Sequence, residues 1–226
     1  MRDFLTIGAT RQKKGEVMEK TNGVTKSWRL QDVLLMAMFG VLFALVYLGV
    51  FYLGLALQTA LTPAGLGPFA FELVYGIWFL AATLAAFIIQ KPGVAFTTEF
   101  LASLIELLMG NSGGMLVVIT GVIQGIGCEL GFALFRYRVW DRRSLLCSAL
   151  CAALVTMLQT LYLNGYANLQ MGIIIAMAVL RILSSMIFCG FFAEILGKSL
   201  AKTGVLRSYP LGRQYGPTLV AEDDAL

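Results

Sequence analysis

The sequence contains no histidine among its 226 residues, and only 13% of those residues are charged. The absence of histidine excludes Ser-His catalytic triads, zinc sites that use histidine, and HExxH proteases. The chain also lacks a GxxxxGK[ST] phosphate loop, so we do not expect it to hydrolyse ATP itself. We therefore predict no catalytic residue, no metal site, no bound cofactor and no enzyme activity.

Cysteine is also scarce, with four residues that fall in or beside apolar stretches. Cys147 and Cys151 are spaced to share a helix face, but no other metal-ligating residue type accompanies them. Like Cys128 and Cys189, they are interpreted as small apolar packing residues.

Apolar residues are what the chain has in excess. The hydrophobic fraction is 58% and the mean hydropathy is +0.80, values typical of a membrane protein with several spans. A membrane-spanning helix needs about 20 apolar residues, and the chain contains six such runs. The predicted fold is an all-α membrane protein, a bundle of six transmembrane helices at about 30–57, 69–89, 92–110, 115–135, 145–163 and 171–200.

Two polar segments flank this apolar region. Residues 1–28 are basic, lack an apolar run and do not resemble a signal peptide, so they are predicted to form a disordered cytoplasmic tail. Residues 29–203 form the predicted membrane domain. Residues 204–226, which contain two prolines and an acidic end, are predicted to form a second cytoplasmic tail. In helix 3, Pro92 is expected at the first helical position.

The basic residues predict the orientation of the six helices. The loops at 58–68, 110–114 and 164–170 carry no charge, whereas the N-terminal segment, the remaining loops and the C-terminal side are basic. Because Lys and Arg collect on the cytoplasmic side, both termini are predicted to be cytoplasmic. This topological interpretation is favoured over a nucleic-acid-binding surface. The basic residues concerned are Arg2, Arg11, Lys13, Lys14, Lys20, Lys26, Arg29, Lys91, Arg136, Arg138, Arg142, Arg143, Lys198, Lys202, Arg207 and Arg213.

Carboxylates outnumber cations inside the predicted spans. Glu72, Glu99, Glu106 and Glu129 fall well within them, against the single base Arg181. Buried charges without a partner are strongly disfavoured. The carboxyl groups must therefore be protonated, reach water or pair with something that the chain does not contain. Three further charged residues, Asp32, Lys91 and Glu194, are expected to reach the cytoplasmic interface.

Polar and aromatic residues accompany these carboxylates at helical spacings. Such a set suits a flat, cationic ligand that bears an amino group, because carboxylates accept hydrogen bonds from amines and aromatic faces hold cations. For each aromatic residue, ordinary packing is the alternative. The candidate site residues are Glu72, Tyr75, Trp78, Glu99, Glu106, Gln124, Glu129, Tyr162 and Tyr166.

Several short motifs follow one another along the chain in the order that is typical of one protein family. The segment from Pro68 to Glu129 resembles the YkoE family, the substrate-binding S components of energy-coupling factor transporters associated with thiamine or its hydroxymethylpyrimidine moiety. The resemblance covers about residues 28–206, and the long N-terminal extension has no counterpart in it. The matching pieces are Phe71-Glu72, Tyr75-Gly76-Ile77-Trp78, Lys91-Pro92-Gly93, Glu99, Glu106, Gly110-Asn111, Gln124-Gly125-Ile126-Gly127-Cys128-Glu129 and Thr203-Gly204-Val205-Leu206.

The resemblance implies a six-helix S component in a prokaryotic plasma membrane that binds its vitamin from outside, and it adds Asn111 to the candidate site. It also implies a transmembrane coupling subunit and two cytoplasmic ATPase subunits as partners. S components contact the coupling subunit through small residues on helix 1, which in this sequence would be Ala37, Gly40 and Ala44. Ordinary packing within the chain is the alternative for these three residues.

Two other functions stay open at this point. The first is a self-sufficient cation or proton carrier that uses the carboxylates as a relay. The second is a structural or assembly subunit in which the charges serve only packing. Uptake without an ATPase partner would favour the carrier, and failure to bind any vitamin-like ligand would favour the structural subunit.

Overall fold

The computed structural model describes residues 27–216, so nearly all of the predicted N-terminal tail and the last ten residues lie outside the described part of the chain. Within that part the chain is helical and contains no strand. Its α-helices are α1 (Leu30–Leu61), α2 (Leu80–Ile89), α3 (Val94–Leu108), α4 (Met115–Leu134), α5 (Arg142–Leu163), α6 (Met171–Ser185), α7 (Ala193–Lys202) and α8 (Pro210–Tyr215). Short 3₁₀ segments occur at Thr62–Ala64, Gly67–Phe69, Tyr75–Phe79 and Tyr166–Asn168, and a π-helical segment, Met186–Phe192, joins α6 to α7.

Four helical stretches of the described residues are long and apolar enough to cross a membrane: Leu30–Ala64, Met115–Leu134, Arg142–Leu163 and Met171–Lys202. Tyr75–Ile89 is a shorter apolar helix. The outer faces of the long helices expose large apolar side chains, such as Met38 and Leu42 on α1. Such faces suit lipid, in which helices keep their backbone hydrogen bonds internal.

The second predicted helix is only half α-helical. It was predicted over 69–89, but residues 70–79 form turns and a 3₁₀ segment, and the α-helix begins at Leu80. We call residues 70–79 the broken segment. It lies directly on the backbone of α6, because a Cβ at Gly76 would collide with the carbonyl oxygen of Ser184 and lie 2.7 Å from the Cα of Ser185.

The start of α3 also differs from the prediction. Pro92 was expected at the first helical position, but the helix begins at Val94, after a glycine cap at Gly93 with φ of 82°. The carboxylate of Glu129 on α4 accepts hydrogen bonds from the amide nitrogens of Gly93 at 2.6 Å and Phe96 at 3.2 Å. An anion at this position satisfies unpaired amides at the positive end of the helix.

The chain after residue 203 is folded as far as residue 216. Leu206, Tyr209 and Leu211 are buried in the core, and the Tyr209 hydroxyl donates a hydrogen bond of 2.7 Å to the carbonyl oxygen of Gln31. Residues 204–216 therefore belong to the bundle rather than to a tail. The apolar positions of α8 explain this, since they cover the ends of α2 and α7.

The small residues of helix 1 face inward. Gly40 and Ala44 are buried, and a Cβ at Gly40 would lie 3.2 Å from the Cβ of Leu101 on α3. Packing within the chain accounts for these two positions, so they are not available to a coupling subunit in this conformation. Ala37 is half-buried.

The bundle has two chemically different ends. We call one the basic end; it contains residues 27–29, 90–93, 135–141 and 203–216. Asp32 and Lys91, which were expected to reach the cytoplasmic interface, are both buried there and paired at 2.6 Å. Glu194 is paired with Arg142 and Lys198. The opposite end, which we call the uncharged end, contains the loops at 62–69, 109–114 and 164–170.

Candidate ligand-binding cavity

A cavity of about 340 Å³ lies at the uncharged end of the bundle, within the size range of small-molecule sites in proteins. Its walls come from α1, the broken segment, α3, α4, α5 and α6. The lining residues are Phe51, Leu55, Gln58, Pro68, Phe71, Glu72, Tyr75, Trp78, Ser103, Glu106, Asn111, Gly113, Leu116, Val117, Thr120, Gln124, Gln159, Thr160, Asn164, Tyr166 and Arg181.

One wall of the cavity is aromatic. The ring of Trp78 lies 5.8 Å from that of Tyr75 and 6.1 Å from that of Phe71, measured between centroids. Phe51 on α1 continues the row, 6.3 Å from Phe71. A row of rings at these separations is mutually packed and therefore rigid, and it offers faces on which a planar ligand can stack.

A buried ion pair closes the side of the cavity next to this wall. Arg181 Nε donates to Glu72 Oε2 at 2.7 Å and Nη2 donates to Oε1 at 2.6 Å, while Nη1 donates to the hydroxyl of Thr160 at 2.9 Å. The guanidinium carbon also lies 3.8 Å from the centroid of the Tyr75 ring. Both charges of the pair are therefore fully engaged within the protein.

Glu106 is the carboxylate of the cavity that has no cation beside it among the described residues. It is 2% exposed, and its Oε1 accepts a hydrogen bond of 2.7 Å from the side-chain amide of Asn111. The other amide atom of Asn111, Oδ1, accepts from the backbone nitrogen of Gly113 at 2.7 Å. The loop after α3 thus holds Asn111, and Asn111 orients the carboxylate.

Gln159 is a second buried acceptor, and the sequence-based site did not include it. Its Nε2 donates to the hydroxyl of Thr120 at 2.6 Å, whereas its Oε1 is buried without a hydrogen-bond partner among the described residues. A lone glutamine within an apolar span was the available signal, because an amide in hydrocarbon needs partners. The cavity therefore offers at least two acceptors, Glu106 and Gln159, to a ligand that carries N–H groups.

The comparisons with known proteins find membrane transport proteins. Residues 31–155 match the model of a family described as "ABC-type cobalt transport system, permease component". The chain is 34% identical over 190 residues, 84% of its length and 92% of the other protein, to YkoE of Bacillus subtilis (strain 168), whose name describes a candidate HMP/thiamine permease. The chain belongs to the YkoE family.

A solved structure extends this result to the fold. The crystal structure of an S-component of an ECF transporter superposes with a TM-score of 0.79 at 33% identity, covering 83% of this chain and 93% of that chain. This YkoE-family protein is accordingly a multi-pass cell-membrane protein with the fold of an S component, as predicted from its sequence.

The lining of the cavity includes seven of the ten predicted site residues: Glu72, Tyr75, Trp78, Glu106, Asn111, Gln124 and Tyr166. The structure places Glu99, Glu129 and Tyr162 elsewhere. Glu99 is completely buried behind the cavity and accepts a hydrogen bond of 3.1 Å from the hydroxyl of Tyr47. Glu129 caps α3, and the side chain of Tyr162 is 78% exposed on the outside of α5.

The charge excess inferred from the sequence is therefore smaller at the cavity itself. Arg181 neutralises Glu72, and backbone amides satisfy Glu129 at the basic end. Glu99 does not line the cavity, although it lies one helical turn from the lining residue Ser103. Among the described residues that line the cavity, Glu106 is the carboxylate that no cation neutralises.

Proposed function

We propose that this S component binds thiamine or its hydroxymethylpyrimidine moiety in the cavity at the uncharged end, for ATP-driven uptake. The observation that carries the proposal is Glu106, a buried carboxylate that has no cation beside it in the described part of the chain and is oriented by Asn111 beside an aromatic wall. The name of the Bacillus subtilis relative supports the ligand class.

The donors of an aminopyrimidine match the acceptors of the cavity. An exocyclic amine can donate to the carboxylate of Glu106 or to Oε1 of Gln159, which accepts no hydrogen bond from any described residue. The ring can stack on Trp78 or Tyr75, and a positively charged thiazolium would add attraction to the carboxylate and to the aromatic faces.

The family description names cobalt, but the cavity is better suited to an organic ligand. Divalent transition metals are bound by clusters of histidine, cysteine and carboxylate ligands. The chain has no histidine, and the described residues contain no group of three or more such side chains that could hold a metal ion. We therefore propose an organic substrate.

We further propose six membrane crossings with both termini in the cytoplasm. The basic end would then face the cytoplasm and the cavity would open outward, as the distribution of Lys and Arg favours. Energy would come from a coupling subunit and two ATPase subunits, since the chain has no phosphate loop of its own.

The proposal predicts that Glu106→Gln weakens thiamine binding by at least about 10-fold, because a hydrogen bond or ion pair to a charged group contributes about 1.5–3 kcal/mol. Isothermal titration of the full-length protein in detergent or nanodiscs measures the affinity. An equal loss for hydroxymethylpyrimidine places Glu106 at the pyrimidine, and a loss confined to thiamine places it at the thiazolium.

Glu99→Gln is the matched control, because Glu99 lies two helical turns earlier on α3, is equally buried and does not line the cavity. Its affinity for thiamine should stay within about 2-fold of the wild-type value. Unchanged binding in Glu106→Gln, or equal losses in both variants, would contradict the proposed site.

The carrier alternative is not favoured by any contact in the cavity. A relay needs carboxylates that can exchange protons or cations, but Glu72 is held by Arg181 and Glu129 by backbone amides. Uptake into vesicles that contain this chain alone, without ATPase partners, would nevertheless establish the carrier.

A further inference from the structure

The turn between Leu73 and Gly76 is opened by a side chain from a distant part of the sequence. The hydroxyl of Ser184 on α6 donates to the carbonyl oxygen of Leu73 at 2.9 Å and accepts from the amide nitrogen of Gly76 at 3.1 Å. These two backbone groups are three residues apart, the spacing at which a 3₁₀ turn pairs them directly. The hydroxyl therefore occupies the place of a backbone hydrogen bond.

The turns on either side of this point are closed. The amide of Val74 donates to the carbonyl of Phe71 at 3.2 Å, and the amide of Ile77 donates to the carbonyl of Val74 at 3.0 Å. Two neighbouring turns are thus closed by backbone hydrogen bonds, whereas the Leu73–Gly76 turn is bridged by the hydroxyl of Ser184. That turn separates Glu72 from Tyr75, two residues of the cavity lining.

The neighbouring serine behaves differently. The hydroxyl of Ser185 donates to the carbonyl oxygen of Arg181 at 2.7 Å, four residues earlier in the same helix. This is the common local bond of a helical serine. Both serines are buried, but only Ser184 connects α6 to the broken segment.

Other contacts of the last long helix support the same role. The thiol of Cys189, in the π-helical segment, donates to the carbonyl oxygen of Gly76 at 3.1 Å. The absence of a side chain at Gly76 allows its backbone to pack against the backbone of Ser184 and Ser185. Backbone groups that an α-helix would pair internally are thus paired by side chains of a helix more than 100 residues away.

We propose that Ser184 is a positioning residue for ligand binding, whose hydroxyl holds the Leu73–Gly76 turn open and sets the spacing of Glu72, Tyr75 and Trp78. This inference rests on the proposed function, namely that the cavity binds the pyrimidine ligand. Ser184 is not part of the cavity lining, so it acts through these three residues. Without the hydroxyl, Gly76 and Leu73 can pair directly, which tightens the turn and displaces Tyr75 from Arg181.

The test compares Ser184→Ala with Ser185→Ala and Ser184→Thr in the full-length protein. Ser184→Ala should weaken thiamine binding by about 10-fold, whereas Ser185→Ala should stay within about 2-fold of wild type. Ser184→Thr keeps the hydroxyl and should restore affinity. Should Ser184→Ala fail to fold, Ser184→Cys, with its weaker donor, should give an intermediate loss.

Tryptophan emission of the ligand-free protein provides a readout that does not depend on binding. Trp78 follows the interrupted turn, whereas Trp28 and Trp140 lie at the basic end and contribute a constant background. The emission maximum should shift in Ser184→Ala and not in Ser185→Ala. A wild-type protein that binds neither thiamine nor hydroxymethylpyrimidine would refute the proposed function. Wild-type binding with equal affinities and unshifted spectra in the two alanine variants would refute the inference about Ser184.

Discussion

Arg181 joins more parts of the cavity than any other single side chain described above. It pairs with Glu72 of the broken segment, donates to Thr160 of α5 and lies over the ring of Tyr75. Both charges are almost completely buried, with exposures of 1% for each residue. Their separation from water is costly, so the pair depends on both members being present.

Removal of one member of the ion pair should therefore strongly destabilise the protein. Arg181→Met leaves the carboxylate of Glu72 buried without a cation and should lower the free energy of unfolding by about 3–5 kcal/mol. The double variant Glu72→Leu with Arg181→Met removes both charges and should recover at least half of that loss. Thermal unfolding of the detergent-solubilised protein measures both. Additive losses in the double variant would contradict a coupled pair.

The residues that could be predicted best from the sequence were those whose charge is costly to bury. Glu72, Glu106 and Arg181 could be recognised because ionisable groups in a span require a partner or a function. The same argument could not show that Glu129 lies outside the cavity, because its partners are backbone amides 33 and 36 residues earlier in the chain. Gln159 carries no charge, so it gave a weaker signal, although the structure places it in the cavity.

At the scale of elements, apolar runs predicted the long helices well and the broken segment poorly. The segment from 69 to 79 is apolar with helical spacings, which favour a regular helix. Its hydrogen bonds to Ser184 and Cys189 depend on residues more than 100 positions away, and no local pattern encodes them. For the same reason the packing of α8 was not foreseen, since Leu211 is buried only by its contacts with the bundle.

The start of α3 provides a prediction at this scale. Glu129→Ala removes the acceptor for the amides of Gly93 and Phe96 and should destabilise the protein by about 1–2 kcal/mol, the usual cost of losing a helix cap. Affinity for thiamine should remain within about 2-fold of wild type, because the cap lies at the end of the bundle opposite to the cavity. Strong loss of binding with unchanged thermal stability would instead indicate that Glu129 takes part in ligand binding.

For the whole molecule, the separation of the two ends gives the bundle its functional polarity. The basic end holds the charged loops and the ion pairs of Asp32 and Glu194, while the uncharged end holds the cavity. Entry of a cationic ligand is easier past loops without positive charge, since those loops exert no repulsion. In the proposed orientation, the same separation would let the basic end anchor at the cytoplasmic surface.

This polarity predicts which loops a reagent outside the cell can reach. Ala64 and Arg138 are exposed at the uncharged and basic ends respectively, so Ala64→Cys and Arg138→Cys report on the two sides. A membrane-impermeant maleimide applied to intact cells should label Ala64→Cys, and it should label Arg138→Cys only after permeabilisation. The wild-type protein measures the background from its own cysteines, of which Cys128 and Cys189 are buried. The reverse pattern would place the cavity on the cytoplasmic side, where a receptor for external vitamin could not load, so it would contradict the orientation on which uptake depends.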